Sequence, residues 1–323
     1  MTVLRFLIFY IAICLANTAY AAPLRVALLL EHGDDSAWTG LLRKGLEQAA
    51  KKFDIDAEVL IFPPDESQRD NFRKAAETHD LVLVASDNLH EALRDNAANY
   101  RRVKFGSIDA GIRAPNIMSV TFADEQAAFL AGAASAMLAS EKPVLGWLSG
   151  KDTPAMRSLF SGYYEGAHLA DEDSKVIQAV AGSFNDPGAA ASKAQWLIDN
   201  GARVIVLAAG AGNASARAVA QKARIPVIEL DAASDSAGIA KAADRAVQEI
   251  VASAVGAFRG KEIVTYDLAN GGVAFNGLEK LSGKSGAVHQ SISRRVGELK
   301  REIEKGNIRL QSMRQRTLCD CLD

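Results

Sequence analysis

SVTFADEQAAFLAGAASAMLASEKPVLGWLSG, residues Ser119 to Gly150, reads as a strand, a buried helix and a second strand in succession. The β-branched and aromatic SVTF suits a short strand. Asp124 then precedes a helical run, where an acid caps free N–H groups at the positive helix end. Between Ala127 and Leu138 nearly every residue is apolar. An amphipathic surface helix would show polar residues recurring on one side, so this helix is expected to be buried on most sides. At about a dozen residues it is too short to cross a bilayer. Pro143 ends it, and Val144 to Leu148 supplies the next strand before Ser149 and Gly150 turn the chain. Everything before this stretch builds one α/β lobe, and most of the chain after it builds another.

Working outward, both flanks alternate strand and helix. LRVALLL from Leu24 is a continuous apolar run, as expected of a parallel strand covered on both faces. Helix 39–52, strand 57–62, the break at Pro63 and Pro64, helix 68–77, strand 81–85, helix 89–99 and strand 103–108 come next. In the second half the strands are 144–148, 175–180, 204–207 and 227–230, and a helix is read from Gly238 to Phe258. Repeated βα units imply doubly wound parallel sheets, because parallel neighbours need crossover connections.

The chain has 323 residues, 49% hydrophobic and 24% charged, enough for a sizeable core and two domains. The N-terminus carries Arg5, then FLIFYIAICLA, then A-Y-A at Ala19 to Ala21, the three-part form of a secretory signal peptide over residues 1–22. Ile13 is bulky where a lipid-attachment site before Cys14 would need a small residue, so the mature protein is expected to be soluble and periplasmic. The formal net charge is −2, and loss of the leader with its single Arg5 leaves −3. No basic excess points to nucleic acid or an anionic membrane. Cys319 and Cys321 lie in a C-terminal tail, 313–323, read as frayed, with a strained disulfide or redox exchange as the other reading.

Three stretches carry a resemblance. VTFADEQAAFLAG (120–132), GWLSGKDTP (146–154) and FSGYYEGA (160–167) make the chain similar to the basic membrane protein family of bacterial substrate-binding proteins. Its best understood members are purine nucleoside receptors serving ABC transporters. The resemblance runs from about Leu24 to Ile308. It implies a type I periplasmic binding protein: two lobes joined by a hinge that the chain crosses three times. Lobe one then takes 23–123 plus about 238–270, and lobe two takes 124–237 plus about 271–312. It further implies a purine nucleoside ligand, an ABC permease as partner, a monomer, and no cofactor or metal. A periplasmic sensor that shows its closed form to a membrane signalling protein is the second reading, and a receptor for another small solute the third.

In open α/β sheets ligands bind beyond the carboxyl ends of the strands. The loops there are 33–38, 86–88, Asp109, 150–152, 183–186, 210–213 and Asp231. The resemblance makes Trp38 the aromatic that stacks on a base from lobe one and Phe184 its counterpart from lobe two, with core packing or loop packing as the plain alternatives. Asp231 matches the family's ribose ligand, because a carboxylate accepts two hydrogen bonds from a vicinal diol. Ala233 stands where many relatives carry a second Asp. Asp109 is read for a polar base edge or lobe closure, with a surface or capping role equally open, and Asp35 for ligand or helix backbone. Gly210 permits close backbone approach. Lys241 matches a family lysine that donates to a base or carboxylate, with a helix-surface lysine as its other reading. No G-x-S-x-G elbow, H-E-x-x-H pair or Walker loop occurs, and the five histidines are scattered, so no enzyme is expected.

Overall fold

The computed structural model describes residues 22–31, 36–62, 68–139, 143–230, 237–281 and 286–310. The leader, the C-terminal Cys pair, Asp35 and Asp231 lie outside the described residues.

The chain opens with β1 (Leu24–Glu31), α1 (Ala37–Lys52), β2 (Ile55–Phe62), α2 (Gln68–Thr78), β3 (Leu81–Val84), α3 (Asp87–Asn96), β4 (Lys104–Ile108) and β5 (Ile117–Phe122). Next come α4 (Asp124–Ala139), β6 (Val144–Ser149), α5 (Pro154–Ala170), β7 (Lys175–Val180), α6 (Pro187–Asp199), β8 (Val204–Ala208), α7 (Asn213–Lys222) and β9 (Val227–Leu230). It ends with β10 (Gly238–Lys241), α8 (Ala243–Val255), β11 (Ile263–Tyr266), β12 (Val273–Asn276) and α9 (Gly286–Glu304). The first sheet runs β11-β5-β4-β3-β1-β2, parallel throughout, and the second β12-β10-β9-β8-β6-β7, with β12 alone antiparallel. Both are the doubly wound sheets that the apolar strand runs imply.

Thirteen of the sixteen residues of α4 are buried, which an all-round apolar sequence requires. The helix lies against α5, α9, β10 and β12. Its contact with α5 is backbone-close. A methyl group on Gly132 would overlap the Tyr163 carbonyl, one on Gly162 the Glu125 carbonyl and one on Gly166 the Phe129 carbonyl. The glycines of FLAG and GYYEG are therefore packing residues of a helix pair.

The chain passes between the sheets after β5, after β10 and after β11, and hydrogen bonds lace these passages together. Ala123 N donates to Tyr266 O (2.8 Å), Ala242 N to Gly272 O (2.9 Å) and Leu268 N to the Gln126 side chain (3.1 Å). Tyr266 also donates to Glu249 of α8 (2.5 Å), while Arg259 holds the same carboxylate at 2.8 Å. Burial pushes the Tyr266 phenol up to about 12.

One element differs from the sequence reading. The helix read from Gly238 begins at Ala243, and Gly238–Lys241 is a strand. It pairs with β9 through Gly238↔Glu229 and with β12 through Lys241↔Val273. The alanine-rich IAKAADRAV carries helix propensity, which pairing with two neighbouring strands overrides at its start. The remainder, α8, packs on α1 of the first lobe as expected. Strands β11 and β12 were not read from sequence either, being four residues each.

Candidate functional site

The carboxyl ends of the strands from both sheets converge on one cavity of about 590 Å³. Trp38, Asp109, Phe184, Gly210 and Lys241 all line it, so five of the seven residues singled out in the sequence come together. The other two, Asp35 and Asp231, lie outside the described residues.

Lys241 is the centre of the arrangement. It ends β10, its side chain is 4% exposed, and its ammonium lies 3.1 Å from Asp109 Oδ2 and 3.8 Å from Asp124 Oδ2. The same nitrogen stands 4.3 Å from the centroid of the Trp38 ring and 5.6 Å from that of Phe122. It is therefore no helix-surface lysine but a buried cation that joins second-sheet strand to first-lobe carboxylate and rings. Trp38 sits in the first turn of α1, which Ser36 caps by accepting from Thr39 N (3.4 Å). Its edge meets Phe122 at 6.0 Å and 79°.

Asp109 comes just after β4 with φ = 77°, in the left-handed region that Asp tolerates better than most residues. Its N–H donates to Val120 O (2.8 Å), and the carboxylate is turned to Lys241. His90 lies close by, buried on the cavity wall. Burial pushes its imidazole down to about 4 against the pull of Asp109, so the ring is neutral at physiological pH.

Across the cleft, Phe184 comes from the loop between β7 and α6. Its ring rests on Gly150, where a methyl group would overlap it. Gly210 has φ = 60°, and a methyl group there would stand 2.8 Å from Phe184 O. Both glycines thus make room for Phe184. Asp186, from the same loop, caps α6 by accepting from Ala189 N at 2.9 Å.

Three charged residues of the cavity, Glu31, Arg217 and Glu229, fall outside the loops singled out in the sequence. Glu31 ends β1 and accepts from Ser86 Oγ (2.7 Å) and Asn88 Nδ2 (3.4 Å). Arg217 of α7 clamps Glu229 of β9 through Nε (2.5 Å) and Nη2 (2.7 Å), and that carboxylate is 5% exposed. A signal existed for both acids: Glu31 closes an apolar strand at its carboxyl end, and Glu229 is a charge inside the short strand VIEL. Among the described residues no cluster of His, Cys, Asp or Glu is placed to hold a metal ion, and no helix is long and apolar enough to cross a membrane.

The model of the Bmp family, described as ABC transporter substrate-binding protein PnrA-like, matches residues 25–306. The chain belongs to the Bmp family. Among curated proteins it is 27% identical over 309 residues to the ABC transporter nucleoside-binding protein BmpA of Lactococcus lactis subsp. cremoris, covering 86% of this chain and 84% of that one. Basic membrane protein D of Borreliella burgdorferi is 32% identical over 126 residues, 39% of this chain and 36% of its own. A solute-binding protein of an ABC transporter system from Aeropyrum pernix K1 shares the fold at a TM-score of 0.77 and 22% identity, covering 90% of this chain and 94% of that one. As a Bmp protein, the chain is an ABC transporter substrate-binding protein with a two-lobe type I periplasmic binding fold. The Bmp resemblance rests partly on residues that do not line the cavity: Gly132, Gly162 and Gly166 hold α4 to α5.

Proposed function

We propose that this Bmp protein binds a purine nucleoside in the interlobe cavity outside the cytoplasmic membrane and passes it to an ABC permease. The observation that carries the reading is the pairing of one aromatic ring from each lobe, Trp38 and Phe184, on the walls of a single cavity. Its volume lies within the roughly 300–1,000 Å³ common for small-molecule sites. A flat base stacks on broad aromatic faces. With Lys241 on one face of Trp38, the base takes the other. Asp231 is assigned to the ribose hydroxyls and Asp35 to the ligand or the start of the first helix. The name of the Lactococcus relative, a nucleoside-binding protein, supports the same ligand class.

Ligand that contacts both lobes binds the closed state better than the open one, and that difference drives closure about the three passages. A monomer suffices, since one chain supplies both walls.

Thermal unfolding with nucleosides, free bases, nucleotides and sugars tests the proposal. Ligand at about 100 times its dissociation constant adds roughly 2.7 kcal/mol and raises the midpoint by several degrees. A rise confined to purine nucleosides is the expected result. A rise with sugars alone would replace the ligand class.

A further inference from the structure

Two carboxylates on the first-lobe wall are held in different ways. Asp109 is engaged by the ammonium of Lys241. Among the described residues, Glu31 is engaged through one oxygen. Its Oε1 accepts from the Ser86 hydroxyl and the Asn88 amide, both at the start of α3. A carboxylate oxygen offers about two lone-pair sites, so these two donors fill Oε1. Oε2 has no hydrogen-bond partner among the described residues.

Ser86 occupies the N-cap position of α3, yet its side chain makes no hydrogen bond to that helix. A serine there ordinarily satisfies an N–H of the first turn. Here its hydroxyl orients Glu31 instead. Glu31, Ser86 and Asn88 all line the cavity. A negative acceptor, fixed through one oxygen and with no described partner at the other, suits a ligand that presents N–H donors and disfavours one that presents only acceptors.

We propose that Glu31 determines specificity: the ligand turns an N–H donor, an exocyclic amine or a ring amide of its base, toward Oε2. This deepens the nucleoside reading and rests on it for the kind of ligand, while the role of Glu31 comes from the cavity itself. A guanine-type base offers an amide N–H beside an amine, an adenine-type base an amine alone, and unsubstituted purine riboside offers neither. A hydrogen bond to a charged acceptor inside a cavity corresponds to roughly 10- to 100-fold in affinity.

Calorimetric titrations of guanosine, adenosine, purine riboside, the free bases and amino acids into the parent, Glu31→Gln and Glu31→Leu test this, with unfolding midpoints confirming that each variant folds. The parent is expected to bind guanosine or adenosine at least tenfold more tightly than purine riboside. Glu31→Leu then loses that preference while its affinity for purine riboside stays within about threefold, and Glu31→Gln falls between. Equal binding of all three nucleosides by parent and Glu31→Leu would overturn the role of Glu31 and leave the nucleoside reading standing. If the parent binds only an N–H-bearing solute of another class, and Glu31→Leu abolishes that binding, the nucleoside reading falls and Glu31 keeps its role.

Discussion

Lys241→Met is expected to destabilise the ligand-free protein by about 3 to 5 kcal/mol, because it removes the cation from a buried cluster and leaves its acids behind. Asp109 and Asp124 have side chains only 13% and 0% exposed, and Lys241 lies in ion-pair range of both. Methionine keeps the length and apolar stem of lysine, so packing loss is a small part of the effect. Replacing the acids as well, in Lys241→Met/Asp109→Asn/Asp124→Asn, should restore part of the loss, since it removes the uncompensated buried charges and leaves only neutral amides to satisfy. Urea unfolding of the single and triple variants measures both. A loss under about 1 kcal/mol for Lys241→Met is the size of an exposed pair and would mean that the cluster is solvated.

Gly166→Ala is expected to cost about 3 kcal/mol or more. In an exposed helix the same change would help, by roughly 1 kcal/mol, through propensity and a less flexible unfolded chain. Here the new methyl group overlaps the Phe129 carbonyl oxygen, and a helix backbone has no rotamer by which to step aside. The α4–α5 pair must then separate. That loosens Trp147 and Tyr163, both fully buried, whose ring centroids lie 5.7 Å apart. Overpacking penalties of about 1–3 kcal/mol apply where side chains can yield, and backbone collisions exceed them. Gly132→Ala should behave alike against the Tyr163 carbonyl. Chemical unfolding of either variant gives the answer, and a stability gain would show that the helices pack more loosely than described.

Much of this architecture was legible because it rests on burial. The apolar run Ala127–Leu138 announces a helix covered on all sides, and Leu24–Leu30 a strand covered on both, without reference to anything distant. What escaped was decided by pairing between separate elements. Gly238–Lys241 is a strand because β9 and β12 flank it, and nothing in GIAK says so. Lys241, read along a helix, leaves a surface role open beside that of a donor to a base or carboxylate; at the end of a strand flanked on both sides it is the buried counter-charge of Asp109, 132 positions earlier. Arg217 and Glu229 are twelve positions apart and meet only because α7 folds back over β9. Aromatic residues and strand-end loops, by contrast, point to a cleft from local pattern alone. Trp38, Phe184 and Gly210 reached the cavity by that reasoning.

The central claim is that Trp38 and Phe184 are the two faces of one nucleoside site. The most direct measurement is a calorimetric titration of purine nucleosides into the parent, Trp38→Ala and Phe184→Ala. Stacking of a base on an aromatic ring amounts to about 1–3 kcal/mol, so each variant should bind roughly 5- to 150-fold more weakly at unchanged one-to-one stoichiometry. Parent-like affinity in both variants would contradict the account, and would move the ligand away from the rings that define the cavity.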